Sequence, residues 1–288
     1  MNTSHIANIV SNHQKYFIAI AYNMVGDMEV AKDIVQDAYI KTIPFEENIK
    51  HRKAYLRKTV VNLCIDHLNH LKKHPKSYVG PQLATPVEDT FWEDELKDNK
   101  SIDQALFLLF NKLTPYERAV LVLKNLYGTK HAEIASIINT TEEESRQIYS
   151  RLKRKIKRLP DQKTIALKTR KKVIDQFIYY INKNDLEGLK SLLKNDIKYY
   201  VDSGGKVKGA ATNILTGSDT IAEFIISRLQ KITPKVTCYK IKYINGKLNI
   251  VNVASNKIRL FIELEVVENK IANIYITANP DKLKYISL

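Results

Sequence analysis

The chain has 288 residues, enough for two or three small domains that each bury a core. Apolar residues make up 44% of it, and no run approaches the roughly 18 apolar residues of a membrane span, so membrane insertion is not expected. Met1 to Val10 has no basic segment followed by an apolar core, so no secretory signal is read and a bacterial cytoplasmic location is expected. Cys64 and Cys238 sit far apart in apolar, periodic stretches and read as reduced core residues, not as a disulfide or metal ligands. The net charge of +15 favours a polyanionic partner, although a Lys-, Ile- and Asn-rich composition would raise the same number in an AT-rich genome. Placement decides between the two. Arg151 to Arg158 concentrates six basic residues at the end of one predicted helix, whereas Glu88 to Asp98 is acidic and holds the only tryptophan, Trp92.

Residues 1–75 read as one helical unit. Tyr16, Phe17, Ile20, Ala21 and Met24 recur at helical spacing, Gly26 suits a helix C-terminus and Asp27 suits the next N-cap. The following helix places Ala31, Ile34, Val35, Ala38 and Thr42 on one face and stops at Pro44. A polar loop, Phe45 to Lys50, leads to a helix over Arg52 to Lys72 with Leu56, Val60, Leu63, Cys64, His67 and Leu71 as its buried stripe. Residues 76–100 carry Pro81, Pro86 and the acidic run with little periodicity, and read as a linker.

Residues 101–160 form a second helical unit with clear punctuation. Thr114-Pro115-Tyr116-Glu117 combines an N-cap, a proline at the first helical position and a capping-box glutamate. Gly128 closes that helix, Thr129 caps the next (Lys130 to Ile138), and Asn139-Thr140 makes a short turn. Thr141 to Glu144 is a second capping box, opening a helix to about Arg158. Helix, tight turn and a second helix rich in Arg, Gln, Ser and Lys is the recipe for a helix-turn-helix, whose second helix fits the major groove. Ile148 and Leu152 face the core, leaving Glu143, Arg146, Gln147, Ser150, Arg151 and Arg154 outward. Arginine pairs with guanine and glutamine with adenine, while Lys153, Lys155, Lys157 and Arg158 suit phosphates. A basic amphipathic helix is also what a solvated face looks like, but capping, turn length and clustered charge together favour DNA reading. Glu142 to Glu144 suit the helix dipole yet repel phosphate, and one of them is open to accepting from a cytosine amino group.

Leu113-Thr114-Pro115-Tyr116-Glu117-Arg118 through Lys155 resembles region 4 of sigma-70 family factors, and Phe17 to Lys73 is similar to region 2. The resemblance implies that residues 101–160 read a −35 promoter element. It also implies that Ala31 to Tyr39 belongs to the helix that docks on core RNA polymerase, with Asp33, Ile34, Gln36, Asp37 and Ile40 as contacts. Ala54 to Leu68 resembles the −10-reading helix. There Arg57, Lys58, Lys72 and Lys73 would follow phosphates, and Asn62 and Asp66, with the Phe45 to Lys50 loop, would hold a base extruded from the melted non-template strand. Read without the family, Asn62 is equally a hydrogen-bonding residue inside the bundle. Two such regions joined by a short linker is the arrangement of the extracytoplasmic-function group.

From Ala166 the pattern changes class. Two amphipathic helices, Lys168 to Lys183 and Asp185 to Lys194, precede a strand at Ile197 to Val201 and a helix at Ser218 to Lys231. Strands follow near Val236 to Ile244, Leu248 to Val253, Ile258 to Val267 and Ile271 to Thr277, with Asn245-Gly246 as a hairpin turn. Residues 166–288 thus predict an α+β domain with a curved antiparallel sheet. They resemble a SnoaL-like, nuclear-transport-factor-like cone, which implies a pocket able to take a small ligand of unspecified chemistry. Asp202-Ser203-Gly204-Gly205-Lys206 and Asn279-Pro280-Asp281-Lys282-Leu283 resemble two strings of the sigma factors that carry such a domain. The resemblance implies that Asp202, Gly204, Gly205, Lys206, Asn279, Pro280, Asp281 and Lys282 make regulatory contacts; read locally, both strings are simply turns. The subgroup's Trp-Leu-Pro-Glu-Pro linker string is replaced here by Pro81-Gln82-Leu83-Ala84-Thr85-Pro86, so linker docking, if kept, uses other contacts.

The expected architecture is multidomain: two all-α units and an α+β cone. The expected function is a sigma factor that directs core polymerase to promoters and is modulated in cis by its C-terminal domain. A ligand-responsive helix-turn-helix regulator that replaces no sigma subunit is the competing reading, and the region 2-like block argues against it. Asp202 and Asp175 are candidate bases if the cone were an enzyme, but His131 is the last histidine and no metal-ligand spacing or cofactor motif occurs, so no catalysis is expected.

Overall fold

Local signals set most helix ends. In a computed structural model describing residues 5–74, 80–89, 107–108, 110–157, 166–207, 209–231 and 237–288, Asp27 N-caps α2 (Met28–Thr42) by accepting from the N–H groups of Glu29 and Val30. Gly26, at φ +74°, ends α1 (His5–Val25), and a Cβ there would meet the Phe107 ring, so only glycine fits both the backbone and the packing. A 3-10 turn, Ile43–Asn48, occupies the expected polar loop and leads to α3 (Arg52–Lys73). Val61 and Ile65, not Leu63, His67 and Leu71, complete the buried stripe of α3 with Leu56, Val60 and Cys64. The stripe turns because α3 packs on α1, α2 and also on α4 (Pro115–Asn125), so its buried face is wider than one amphipathic side.

Thr114 and Glu117 form the expected reciprocal capping box of α4. The N-cap of α5 (His131–Ile138) is Lys130 rather than Thr129, and Thr129 is buried instead. Asn139, left-handed at φ 55°, makes the tight turn into α6 (Glu142–Lys157). Trp92 and most of the acidic run, together with Arg158, lie outside the described residues, as do the side chains of Lys155 and Lys157.

The contacts divide the chain into two units. One comprises both helical blocks. The other is the C-terminal α+β domain, and the described linker residues 80–89 group with it. Its elements are α7 (Leu167–Lys183), α8 (Leu186–Leu192), β1 (Leu193–Asp202), β2 (Leu215–Thr216), α9 (Ser218–Lys231), β3 (Thr237–Ile244), β4 (Lys247–Ala254), β5 (Lys257–Val267), β6 (Lys270–Thr277) and α10 (Pro280–Leu283).

The sheet order is β2-β1-β6-β5-β4-β3, and β1 runs parallel to β6. The sheet is therefore mixed, not antiparallel throughout as expected. The parallel pair arises because α9 and three hairpin strands separate β1 from β6 in the chain, so the return to β1 is a crossover and not a hairpin. Ile197, Val201, Ile250, Ile262, Leu264 and Ile274 face a core shared with Val173, Phe177 and Ile225 of the helices. Val251 and Phe261 point the other way, onto Leu283 and Ile286. Cys64 is buried, and burial pushes its thiol pKa up, whereas Cys238, expected in the core, is exposed.

Candidate nucleic-acid interface

The helix-turn-helix is built from α5 and α6. Leu152 is fully buried on α6, Ile148 is half-buried, and Ser145, unforeseen in the sequence, is buried against α5 with its Oγ 2.9 Å from His131 Nδ1. Thr141 Oγ1 accepts from Glu144 N–H at 3.1 Å, but the Glu144 carboxylate takes the Thr140 hydroxyl, so only half of the second capping box forms. Glu143, Arg146, Gln147, Ser150, Arg151 and Arg154 are all exposed. Arg146 donates to Glu142 and Gln147 to Glu143, each four residues back, so two of the acids bond to side chains of the exposed row along the helix.

The proposed −10 face lies on α3. Lys72, Lys73 and Asp66 are exposed; Arg57, Lys58 and Asn62 are half-buried. Arg57 pairs with Glu133 of α5, Lys58 Nζ donates to Asn139 Oδ1 at 3.1 Å, and Lys72 Nζ reaches the Leu113 carbonyl at 3.5 Å. Asn62 and Asp66 open into a cleft of about 630 Å³ whose other side is Tyr116, Ile138, Asn139, Thr140, Glu144 and Ile148. None of the described side chains of the Phe45 to Lys50 segment, expected to help form that pocket, lines it. The second helical block does.

On α2, Asp33, Gln36, Asp37 and Ile40 are exposed in a row, but Ile34, assigned to the same binding set, is buried in the bundle. The one-face spacing that makes Ile34 a core residue also removes it from the surface. Ile40, Ile43 and Phe45 are 54%, 42% and 55% exposed, an apolar patch beside the acidic row.

The family description Sigma-70 region 2 matches residues 9–74, and Sigma-70, region 4 matches residues 103–156. The chain is 25% identical to the ECF RNA polymerase sigma factor SigJ of Mycobacterium tuberculosis, over 93% of this chain and 90% of SigJ. The chain belongs to the extracytoplasmic-function group of sigma-70 factors. It is also 27% identical to SigW of Bacillus subtilis, over 46% of this chain and 76% of SigW. The crystal structure of SigJ has the same fold, with a TM-score of 0.74 at 23% identity, covering 98% of this chain and 99% of that one. As a sigma factor it binds core RNA polymerase and directs initiation at promoter DNA.

This sigma factor carries a clasp in its C-terminal unit. Asp202 ends β1 and is only 2% exposed; its Oδ2 accepts from Leu83 N–H at 2.9 Å and from Lys282 Nζ at 2.7 Å. Lys282 also donates to the Leu83 carbonyl, so both backbone groups of one linker residue are held by one ion pair. Gly204 N–H donates to the other Asp202 oxygen at 3.0 Å, and a Cβ at Gly204 would meet the Asn279 side chain. Asn279 caps α10 through Asp281 N–H, and Lys206 pairs with Asp281. Pro280 and Gly205 are exposed beside these contacts. The two strings singled out in the sequence thus meet each other and the linker.

The linker continues as a short bridge between Glu88 and Ile244. Glu88 Oε1 accepts from Lys242 Nζ at 2.8 Å and from Ser287 N–H at 3.2 Å, and Asp89 accepts from Gly246 N–H at 2.9 Å. Burial pushes the Glu88 carboxyl up, but the bonds from Lys242 and Ser287 outweigh this and leave its pKa below the ordinary value. Leu83, Ala84 and Val87 are at most 1% exposed. Docking through the Leu83 backbone explains how the linker seats without the aromatic and acidic residues of the family string. No sequence signal marks Lys242 or Ser287, because their role exists only where the β3–β4 hairpin and the C-terminus meet Glu88. Asp175, one candidate base, pairs with Lys171 on an exposed helix face, and the other, Asp202, is committed to the clasp.

Proposed function

We propose that this sigma factor docks on core polymerase through Asp33, Gln36, Asp37 and the Ile40–Ile43–Phe45 patch. In this reading α3 binds the −10 element and its melted non-template strand, and α6 reads the −35 element. The C-terminal domain modulates both in cis by holding the linker. It acts in the cytoplasm and is not an enzyme, and its cavity serves to bind a small ligand. The observation that carries the cis reading is the buried Asp202–Lys282 pair closed on the Leu83 backbone.

The same cations that would follow −10 phosphates, Arg57 and Lys58, are bonded here to Glu133 and Asn139. Promoter binding would exchange these bonds for phosphates, which costs little for half-exposed pairs and is reinforced by counterion release. The test is in vitro transcription with core polymerase from a genomic promoter pool, comparing the full chain with a truncation after Leu159. Promoter-specific transcripts from at least one of the two, with different yields, are expected. Identical yields would remove the cis modulation, and no transcript from either would remove the promoter assignment. Replacing Ile40 and Asp37 together (Ile40→Glu, Asp37→Lys) is expected to weaken binding to core polymerase at least about tenfold while leaving the thermal unfolding curve unchanged, since both side chains are exposed. Unchanged affinity in a pull-down titration would place the docking face elsewhere.

A further inference from the structure

The concave side of the sheet and helices α7 and α9 enclose a cavity of about 550 Å³, within the range of small-molecule sites. Its walls are mainly apolar, with Phe177, Ile262 and Ile276 among them. Its charged lining residues are all cationic among the described residues. Lys206, Arg228 and Arg259 line it, with Tyr199, Tyr239 and Asn252, and the described lining residues include no carboxylate and no histidine. Lys206 is exposed and pairs with Asp281, and Arg259 is exposed. Arg228 is half-buried and close enough to Tyr199 to act on its hydroxyl. Burial pushes the Tyr199 phenol above its ordinary pKa and pushes Tyr239 up to about 12, so at neutral pH both are hydrogen-bond donors. A guanidinium beside two phenolic donors, in an apolar chamber, suits a group that is anionic and accepts several hydrogen bonds.

We propose that this cavity binds a small amphipathic carboxylate, with its head held by Arg228 and its apolar body against Phe177, Ile262 and Ile276. This deepens, and rests on, the reading of the C-terminal domain as a ligand-binding regulatory module. The cavity is also lined by Pro280 and Leu283, and by Lys206, which bonds to Asp281 beside the clasp. A molecule that fills the cavity therefore borders the segment whose Lys282 holds the linker.

The test is isothermal titration of the full chain with three probes of equal chain length: dodecanoate, dodecanol and dodecyltrimethylammonium. All are kept below the concentrations at which they form micelles. Dodecanoate is expected to bind with one-site stoichiometry and at least about tenfold more tightly than the other two. Arg228→Gln is expected to erase that preference, and Arg228→Lys to keep most of it; circular dichroism of each variant establishes that it is folded. Ala211→Trp, which fills the cavity, is expected to abolish binding of every probe. Equal affinity for acid and alcohol, or a preference that survives Arg228→Gln, overturns the carboxylate assignment and leaves the cavity reading standing. No saturable binding of any probe, or binding untouched by Ala211→Trp, overturns the cavity reading itself. Neither result bears on the transcription comparison above, which tests cis modulation separately.

Discussion

Arg118→Ala is expected to lower the stability of the helical unit by about 3–5 kcal/mol. Arg118 is 4% exposed and donates to the carbonyl of Met24 at 2.7 Å, to the carbonyl of Phe110 at 2.7 Å and to Asn111 Oδ1 at 3.3 Å. It lies against the rings of Phe107 and Phe110. Met24 lies in the last turn of α1, and Arg118 itself sits in the first turns of α4, so one guanidinium joins region 2 to α4 and to the residues just before α4 in region 4. Burial pulls its pKa down to about 10, still far above neutral, so it remains charged and its two terminal nitrogens keep donating to these acceptors. Truncation strands two buried carbonyls and leaves a void. Arg118→Lys reaches one acceptor at most and is expected to fall between, because an ammonium lacks the planar fork. Chemical denaturation followed by circular dichroism measures the loss; a loss below about 1 kcal/mol for Arg118→Ala would contradict this account.

Asp202→Ala is the second large effect. It leaves Lys282 without its buried counter-charge and Leu83 N–H without its acceptor, a change of about 3 kcal/mol or more for a pair this buried. The linker from Pro81 to Asp89 is then expected to become protease-sensitive, and transcription by the variant is expected to move toward that of the chain truncated after Leu159. Lys282→Met is expected to cost at least as much, because it leaves the more deeply buried Asp202 carboxylate without its counter-charge and the Leu83 carbonyl without its donor. A double-mutant cycle over the two positions should give a coupling energy well above the additive error of about 0.5 kcal/mol. A linker as protected in Asp202→Ala as in the parent would mean that Glu88, Asp89 and the buried Leu83, Ala84 and Val87 side chains hold it alone.

The elements that were legible in the sequence share one property, which is that their signals are local. The Thr114–Glu117 capping box, the Asp27 N-cap and the left-handed Asn139 are decided within four residues, so composition reveals them. The exposed row on α6 follows from helical period alone. The Asn245-Gly246 hairpin was read for the same reason. Ser255-Asn256 and Glu268-Asn269 make equally tight turns with positive φ, without a glycine to announce them. Where a reading failed, a second packing surface intervened. Val61 is buried, and Leu63 is not, because the bundle contacts α3 on more than one side, whereas Ile34 is buried by the apolar face of α2 itself.

By itself, the sequence determined the helical blocks, the helix-turn-helix, the strands of the C-terminal domain and the resemblance to a two-region sigma factor with a fused cone. Only the tertiary structure decided that β1 runs parallel to β6, that Arg57 and Lys58 face α5 and its turn, and that the linker belongs to the C-terminal unit. The physical reason is separation along the chain. Leu83 and Asp202 meet across 119 residues and Asp202 and Lys282 across 80, and such contacts depend on which surfaces are left over once local structure has formed. The backbone of Leu83 carries no side-chain signature at all, so the contact that ties the linker to the C-terminal domain could be found only in three dimensions.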